Sequence, residues 1–172
     1  MVPIIKNIRR SNQSLDNYRA LSIGTSLSKL LHIVILNHQA DVLDTSELQF
    51  GFKEKSSTTM CTFMVLETIA YYKSRGSKVH IVLLDASKAF DRVDYIKLFD
   101  KLIGRGMCPL TVRLLLSMYT NQQLQVKWNS CKSHKFKVTD GVRKGGVLSP
   151  KLFSVYIDDL LERLKINGAG CH

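Results

Sequence analysis

Apolar and polar positions along the chain follow two periods, and the points where one gives way to the other divide it into elements. From Ser26 to about Asp41, Leu27, Leu30, Leu31, Val34 and Ile35 recur at helical spacing, which predicts a helix with one apolar stripe. A second helix is expected from a cap at or near Ser57 to about Lys73, with Phe63, Leu66, Ile69 and Ala70 on its apolar face. After Arg75-Gly76-Ser77 the period changes. Val79-His80-Ile81-Val82-Leu83-Leu84 is short, mostly apolar and β-branched, the pattern of a buried central strand, and it ends at Asp85. Two more helices are predicted, about Tyr95 to Ile103 and Pro109 to Tyr119, with Gly104 and Gly106 between them and Pro109 in a first turn. Leu124, Val126 and Trp128 then alternate with polar residues, as do Phe136 and Val138 after Asn129-Ser130-Cys131-Lys132, so a β-hairpin is expected. A glycine-rich basic turn, Gly141 to Gly146, leads to Ser149-Pro150, the N-cap and first-position proline of a helix to about Lys165. The first 24 residues read as extended, with Asn12 to Asn17 as a polar loop. Interleaved helices and strands make this a mixed α/β (α+β) chain, and no repeat or low-complexity linker divides it.

Charge changes the picture. The net charge is +11, and from Lys101 to Lys151 ten basic residues face a single acid, Asp140. Such an excess points to nucleic acid or another anionic surface, although a solvated lysine-rich face would produce it too. Cys61, Cys108, Cys131 and Cys171 have no close pairing of the zinc or redox kind, so reduced thiols are expected, and the five histidines form no metal pattern. The longest apolar run, near Leu30 to Leu36, is broken by His32 and too short for a bilayer, and the N-terminus lacks a signal-peptide core. An intracellular protein without membrane contact is the expectation.

Asp85 is the first candidate for chemistry. A carboxylate at the carboxyl end of a buried strand stands at the sheet rim where ligands bind, although the same residue could merely cap the next turn. Its context is Leu84-Asp85-Ala86-Ser87-Lys88-Ala89-Phe90-Asp91-Arg92-Val93, with a small residue beside the acid and an aromatic five places on. This segment resembles the first catalytic motif of non-LTR (LINE-type, jockey-like) retrotransposon reverse transcriptases. Three further blocks are similar to that family's, in its order. They are Asn17-Tyr18-Arg19-Ala20-Leu21-Ser22 with Ser28-Lys29, Gln49-Phe50-Gly51-Phe52-Lys53 with Ser57-Thr58, and Gly141-Val142-Arg143-Lys144-Gly145-Gly146-Val147-Leu148-Ser149-Pro150 with Leu152-Phe153 and Tyr156.

The resemblance implies an incomplete right-hand polymerase fold. Residues 1–172 would be a partial reverse transcriptase domain, with fingers to about residue 75 and front palm from about 76, stopping before the paired-aspartate hairpin. It implies RNA-templated DNA synthesis with Mg²⁺ by a two-metal mechanism in an intact parent. Its partners would be deoxynucleoside triphosphates and nucleic acid, as RNA template, RNA–DNA hybrid or single strand. By position in the motifs, Asp85 would be the catalytic metal ligand, and Phe90 the gate beneath the deoxyribose. Lys6, Arg19, Ala86, Lys144 and Gly145 would join Phe90 in holding the nucleotide, and Gln49, Gly51, Lys53 and Arg143 would line the template path. Read without the ordered blocks, Phe90 is a core aromatic, Lys6 and Arg19 are exposed charges, and Gly145-Gly146 only joins a strand to a helix. Two positions depart from the family. Lys53 stands where arginine is usual and loses its bidentate fork. Lys144 stands where glutamine is usual and brings a point charge to the nucleotide.

Tyr156-Ile157-Asp158-Asp159 imitates the paired-aspartate signature, but Leu152, Phe153, Tyr156, Leu160 and Leu164 fall at helical intervals, and Asp159 has Arg163 four residues on. Both aspartates are therefore expected on a helix, without catalytic duty. The isolated chain is accordingly expected to be inactive. A nucleic-acid-binding module derived from such an enzyme is the alternative, and an enzyme built on Asp85, Asp158 and Asp159 is a third reading.

Overall fold

A computed structural model describes residues 1–167. Three helices make the centre: α3 (Tyr95–Gly104), α4 (Pro109–Thr120) and α5 (Ser149–Ile166), with α3 packed against both of the others. α3 begins where the Asp94 carboxylate accepts the Lys97 amide at 3.1 Å. Its Tyr95, Leu98, Phe99 and Leu102 then fall on one buried face, and Gly106 at φ +82° turns the chain into α4. α4 contributes Val112, Leu115 and Tyr119 to the same core, and α5 contributes Leu152 and Val155. Leu98, Leu102, Leu115 and Leu152 are fully enclosed. Each such leucine stabilises the fold by about 1.5–3 kcal/mol relative to exposure.

α1 (Ser26–His38) leans on this core through Ile35, with Leu31 and Leu36 alongside, and buries His32. The expected stripe is thus rotated: Leu27, Leu30 and Val34 face outward, and the histidine that interrupts the apolar run lies inside. α2 (Thr58–Ser74) starts at Ser57, whose hydroxyl accepts the Met60 amide at 3.1 Å, but it buries no residue. Its expected apolar face therefore stands largely open, with Phe63 at 61% and Leu66 at 58% exposure.

The strands are short. β1 (Val2–Ile5) and β2 (Tyr18–Leu21) pair antiparallel, with Pro3 opposite Ala20 and Ile4 opposite Arg19, so the extended N-terminus closes into a hairpin. The second hairpin forms as two successive rungs, β3 (Gln123–Leu124) with β6 (Phe136–Lys137) and β4 (Lys127–Trp128) with β5 (Cys131–Lys132). Its edge joins β1, where the Lys127 amide donates to the Met1 carbonyl at 2.9 Å.

The central strand expected over Val79–Leu84 is not formed. These residues carry no regular structure, and Val82, Leu83 and Leu84 are 80–91% exposed. The physical reason is the lack of a ladder: the described strands pair only with one another, as β1–β2, β3–β6 and β4–β5, and none lies beside this run. The chain is a mixed α/β structure all the same, with helices in the centre and small sheets at the margin. No helix among the described residues is long and apolar enough to cross a membrane. Cys61, Cys108 and Cys131 are free thiols, while Cys171 lies outside the described residues.

Candidate functional site

The glycine-rich turn is the meeting point. Its first residue, Gly141, has φ +87° and donates its amide to the Val93 carbonyl at 2.8 Å, while the Val142 amide donates to the Phe90 carbonyl at 2.7 Å. Further along, Ser22 at the end of β2 donates its amide to the Lys144 carbonyl at 2.7 Å. Backbone bonds therefore seat the turn between the Ala89–Arg92 3₁₀ turn on one side and the β1–β2 hairpin on the other. Only glycine fits this seat. A Cβ on Gly141 would lie 2.8 Å from Asp91 Cα, and one on Gly145, at φ +93°, would lie 2.8 Å from a Leu21 methyl. The Tyr95 hydroxyl, donating to the Gly141 carbonyl at 2.9 Å, fixes the turn from below. Burial is the main reason this phenol's pKa is pushed up to about 12.

Phe90 sits half-buried at the rim of the core, stacked on Phe153 with centroids 4.9 Å apart and edge-on to Phe52 at 5.8 Å. Lys144 forms an ion pair with Asp91, so the charge that departs from the family pattern has a partner one residue from Phe90. Arg143 donates from Nε to Gln122 Oε1 at 2.8 Å. It also flanks His32, whose pKa is lowered, first by burial and then by this guanidinium. A cleft of about 220 Å³ runs along the turn, lined by Ala20, Ser22, Asp91, Gln122, Arg143 and Lys144 among others. Strand alternation puts Arg19 on the same face of the hairpin as Leu21, the residue that meets Gly145. Arg19 is exposed and has no ion-pair partner among the described residues, whereas the Lys6 ammonium donates to the Asp16 carbonyl at 2.6 Å.

Other residues expected at the site stand apart from the turn. Asp85 and Ala86 lie on the exposed segment that precedes it, and Lys88, at φ +54°, bends the chain from there into the Phe90 turn. Gln49, Gly51 and Lys53 belong to the loop between α1 and α2. Lys53 donates to the Thr45 carbonyl at 2.9 Å and lies 3.8 Å from the Asp44 carboxylate. Gln49 is buried, and its Oε1 has no hydrogen-bond partner among the described residues. Gly51 is exposed with open space around it.

Asp158 and Asp159 lie on α5, the helix that opens with Ser149 and Pro150. Asp158 is buried, pairs with Arg105 and accepts the Ser46 amide at 2.9 Å. Asp159 pairs with Lys101 on α3, not with Arg163, because the packed helix offers a nearer cation. No group of three His, Cys, Asp or Glu side chains able to hold a metal occurs among the described residues. Asp85 is exposed on an unpaired segment and the α5 aspartates are engaged by cations, so these side chains do not fit a divalent centre by themselves. No metal step is derived from them.

Sequence reasoning passed over Asp91, Ser22, Gln122, Phe52 and Phe153. All but Gln122 lie within or beside the quoted blocks, yet nothing in their spacing says that they face one another.

The family described as "Reverse transcriptase (RNA-dependent DNA polymerase)" matches residues 8–169. The chain is similar to the "Retrovirus-related Pol polyprotein from type-1 retrotransposable element R2" of Nasonia vitripennis, at 30% identity over 87% of this chain and 15% of that one. It is also similar to the "RNA-directed DNA polymerase from mobile element jockey" of Drosophila funebris, at 28% identity over 96% of this chain and 19% of that protein. The "Probable RNA-directed DNA polymerase from transposon BS" of Drosophila melanogaster is 28% identical over 88% of this chain and 17% of its own length. The chain thus spans less than a fifth of the length of each of these three relatives.

Proposed function

This chain belongs to the reverse transcriptase (RNA-dependent DNA polymerase) family, and from that premise we propose that it forms the fingers and front palm of a non-LTR mobile element's RNA-directed DNA polymerase. The observation that carries the reading is the seating of the Gly141–Gly146 turn between Phe90–Asp91 and Leu21–Ser22. It draws two of the motif blocks onto a third. In this reading the half-open Phe90 ring is the wall beneath the deoxyribose, and the absence of a side chain at Gly145 lets backbone approach the nucleotide closely. Arg19, on the face of the hairpin that meets the turn, supplies charge to the triphosphate, with Lys6 and Ala86 in supporting positions. Lys144 acts through its ion pair, which places the Asp91 carboxylate and keeps the ammonium from the nucleotide. Gln49, Gly51, Lys53 and Arg143 line the template path. Asp85 is proposed as one carboxylate of a divalent-cation set, Mg²⁺ by resemblance, that a fuller protein completes.

A graft tests this. Substituting the chain for the matching segment of the Drosophila funebris jockey polymerase should preserve template-directed extension of a primer, and Asp85→Ala in the graft should abolish it while leaving nucleic-acid binding intact. A soluble graft that binds primer-template and extends equally well with Asp85→Ala would overturn the assignment.

A further inference from the structure

We propose that a niche between α1 and the glycine-rich turn holds a single phosphate group, gripped by Lys29 and Arg143 with Ser22 and His32 as hydrogen-bond donors. Ser28, Lys29 and His32 recur at helical spacing along one side of α1, and Ser22, Arg143 and Gly145 help to complete the walls. The Ser22 amide's bond to the Lys144 carbonyl at 2.7 Å draws the two parts together. Glycine is needed at position 145, where a Cβ would lie 2.9 Å from the Ser22 carbonyl oxygen. The space left is about 10 Å³, room for about one water-sized group. Neither a base nor a sugar fits there, but a phosphate can seat one oxygen and leave its esters at the mouth.

Charge and unmet hydrogen bonds identify the occupant. No lining residue is acidic, and no acid occurs between Asp16 and Asp41 or between Asp140 and Asp158. Lys29 and Arg143 form no ion pair among the described residues. Arg143 commits its Nε to Gln122 Oε1 at 2.8 Å, and the rest of its fork has no acceptor among the described residues. Elsewhere on the turn, by contrast, Asp91 already neutralises Lys144. Two lining side chains are buried without a hydrogen-bond partner among the described residues: the His32 imidazole, in a residue 4% exposed, and the Ser22 hydroxyl, in a residue 8% exposed. Such groups are costly unless bonded, and each has a proton to donate. Two unneutralised cations and two unspent donors, with no acid among them, match the several acceptor oxygens of a phosphate. Ser22 and Arg143 also line the 220 Å³ cleft, so the niche continues the site already described. The inference rests on the nucleic-acid reading for the source of the phosphate, a strand's phosphodiester or a nucleotide's triphosphate, and on the niche alone for the group itself.

The first probe is inorganic phosphate, added to the full chain at constant ionic strength against chloride and acetate, with thermal unfolding as the readout. Phosphate should raise the midpoint saturably and beyond either control. Lys29→Ala, at an exposed helical position, should weaken the apparent affinity by roughly 2- to 5-fold. His32→Phe removes a buried donor to a charged group and should weaken it by roughly 10- to 150-fold, while His32→Gln, which keeps a donor, should recover most of the loss. If His32→Phe does not fold, Lys29→Ala still decides. The second arm separates the sources, with oligothymidylate followed by anisotropy and deoxythymidine triphosphate by calorimetry. For a strand's phosphate, Lys29→Ala should lower the slope of log K against log salt by about 0.7, one single-strand contact, and leave triphosphate affinity unchanged. For a triphosphate the affinity falls and the slope stays, and if neither moves the occupant is free phosphate. A phosphate effect that does not saturate, that acetate reproduces, or that both Lys29→Ala and His32→Phe leave intact would overturn the niche, whether or not a strand binds. Saturable phosphate binding by a chain that binds neither strand nor triphosphate would keep the niche and overturn the nucleic-acid reading.

Discussion

Replacing Gly141 by alanine tests whether the seat of the glycine-rich turn is as tight as its geometry requires. The new Cβ meets Asp91 Cα and the Phe90 carbonyl oxygen, each at 2.8 Å. Both are backbone atoms, so no rotamer change relieves the overlap. The φ of +87° adds the left-handed penalty, about 1–2 kcal/mol, and overpacking of this kind costs about 1–3 kcal/mol. The sum is about 2–5 kcal/mol, a large share of a domain stability of about 5–15 kcal/mol. If the turn instead moves away, it gives up the Gly141–Val93, Val142–Phe90 and Tyr95–Gly141 hydrogen bonds, each worth about 1 kcal/mol. Two other glycines calibrate the result. Gly76 has φ +76° with nothing within 4 Å, so Gly76→Ala carries only the conformational part. Gly104, the last residue of α3, has open space and no such φ, so alanine there should stabilise by up to about 1 kcal/mol. Urea unfolding followed by far-ultraviolet circular dichroism, with unchanged m-values, gives the three free energies. Equal midpoints for Gly141→Ala and Gly76→Ala would refute the packed seat.

Arg105→Ala strands the buried Asp158 carboxylate, so a loss of about 3–5 kcal/mol is expected; Asp159→Ala breaks a half-exposed pair with Lys101 and should cost less than about 1 kcal/mol. Chemical denaturation of the two variants decides, and similar small losses would refute a structural role for Asp158. His32 resists protonation in the fold while the unfolded chain takes up a proton near the ordinary 6.5. Its contribution is therefore complete above that value and is lost as pH falls below it, so urea midpoints should decline with falling pH and decline less in His32→Gln. Primer-extension assays on the chain alone, with Mg²⁺ or Mn²⁺, should yield no product, because its described residues bring no metal-holding cluster to Asp85; extension abolished by Asp85→Ala would refute this. Sparing solubility should accompany the inactivity, since the 79–84 run and α2 expose apolar side chains, and light scattering across a concentration series measures it.

The helices were legible because their signals are local. Ser57 caps where the sequence puts a cap, and Pro109 and Pro150 sit in first turns, although α5 takes the expected cap Ser149 into its first turn and leaves Leu148 at the N-cap. The 79–84 strand was not, because an extended run becomes a strand only beside another, and its own residues say nothing of whether a neighbour is present. α1 shows a subtler limit: its spacing gave the period but not the phase, since His32 is carried inward on the face that Ile35 and Leu31 present to the core. At the site, chain order alone could not say that Lys144 would find Asp91 or that Phe153 would lie against Phe90. Only the resemblance put those blocks in one place. Arg163 was the nearest cation to Asp159 along the chain, and Lys101 the nearest across the packed helices.

The bond from Ser22 to Lys144 joins two points far apart in the sequence. Closing so long a loop is entropically dear and wins little until the helices between have packed. α3, α4 and α5 can assemble from nearer contacts, leaving the hairpin and the turn to dock onto a surface already built. The site is thus a late acquisition of the folding chain. In the folded protein the same ordering makes it an early region to open, so the Ser22 amide should exchange its hydrogen through a local separation of hairpin from turn, well before the helical core gives way.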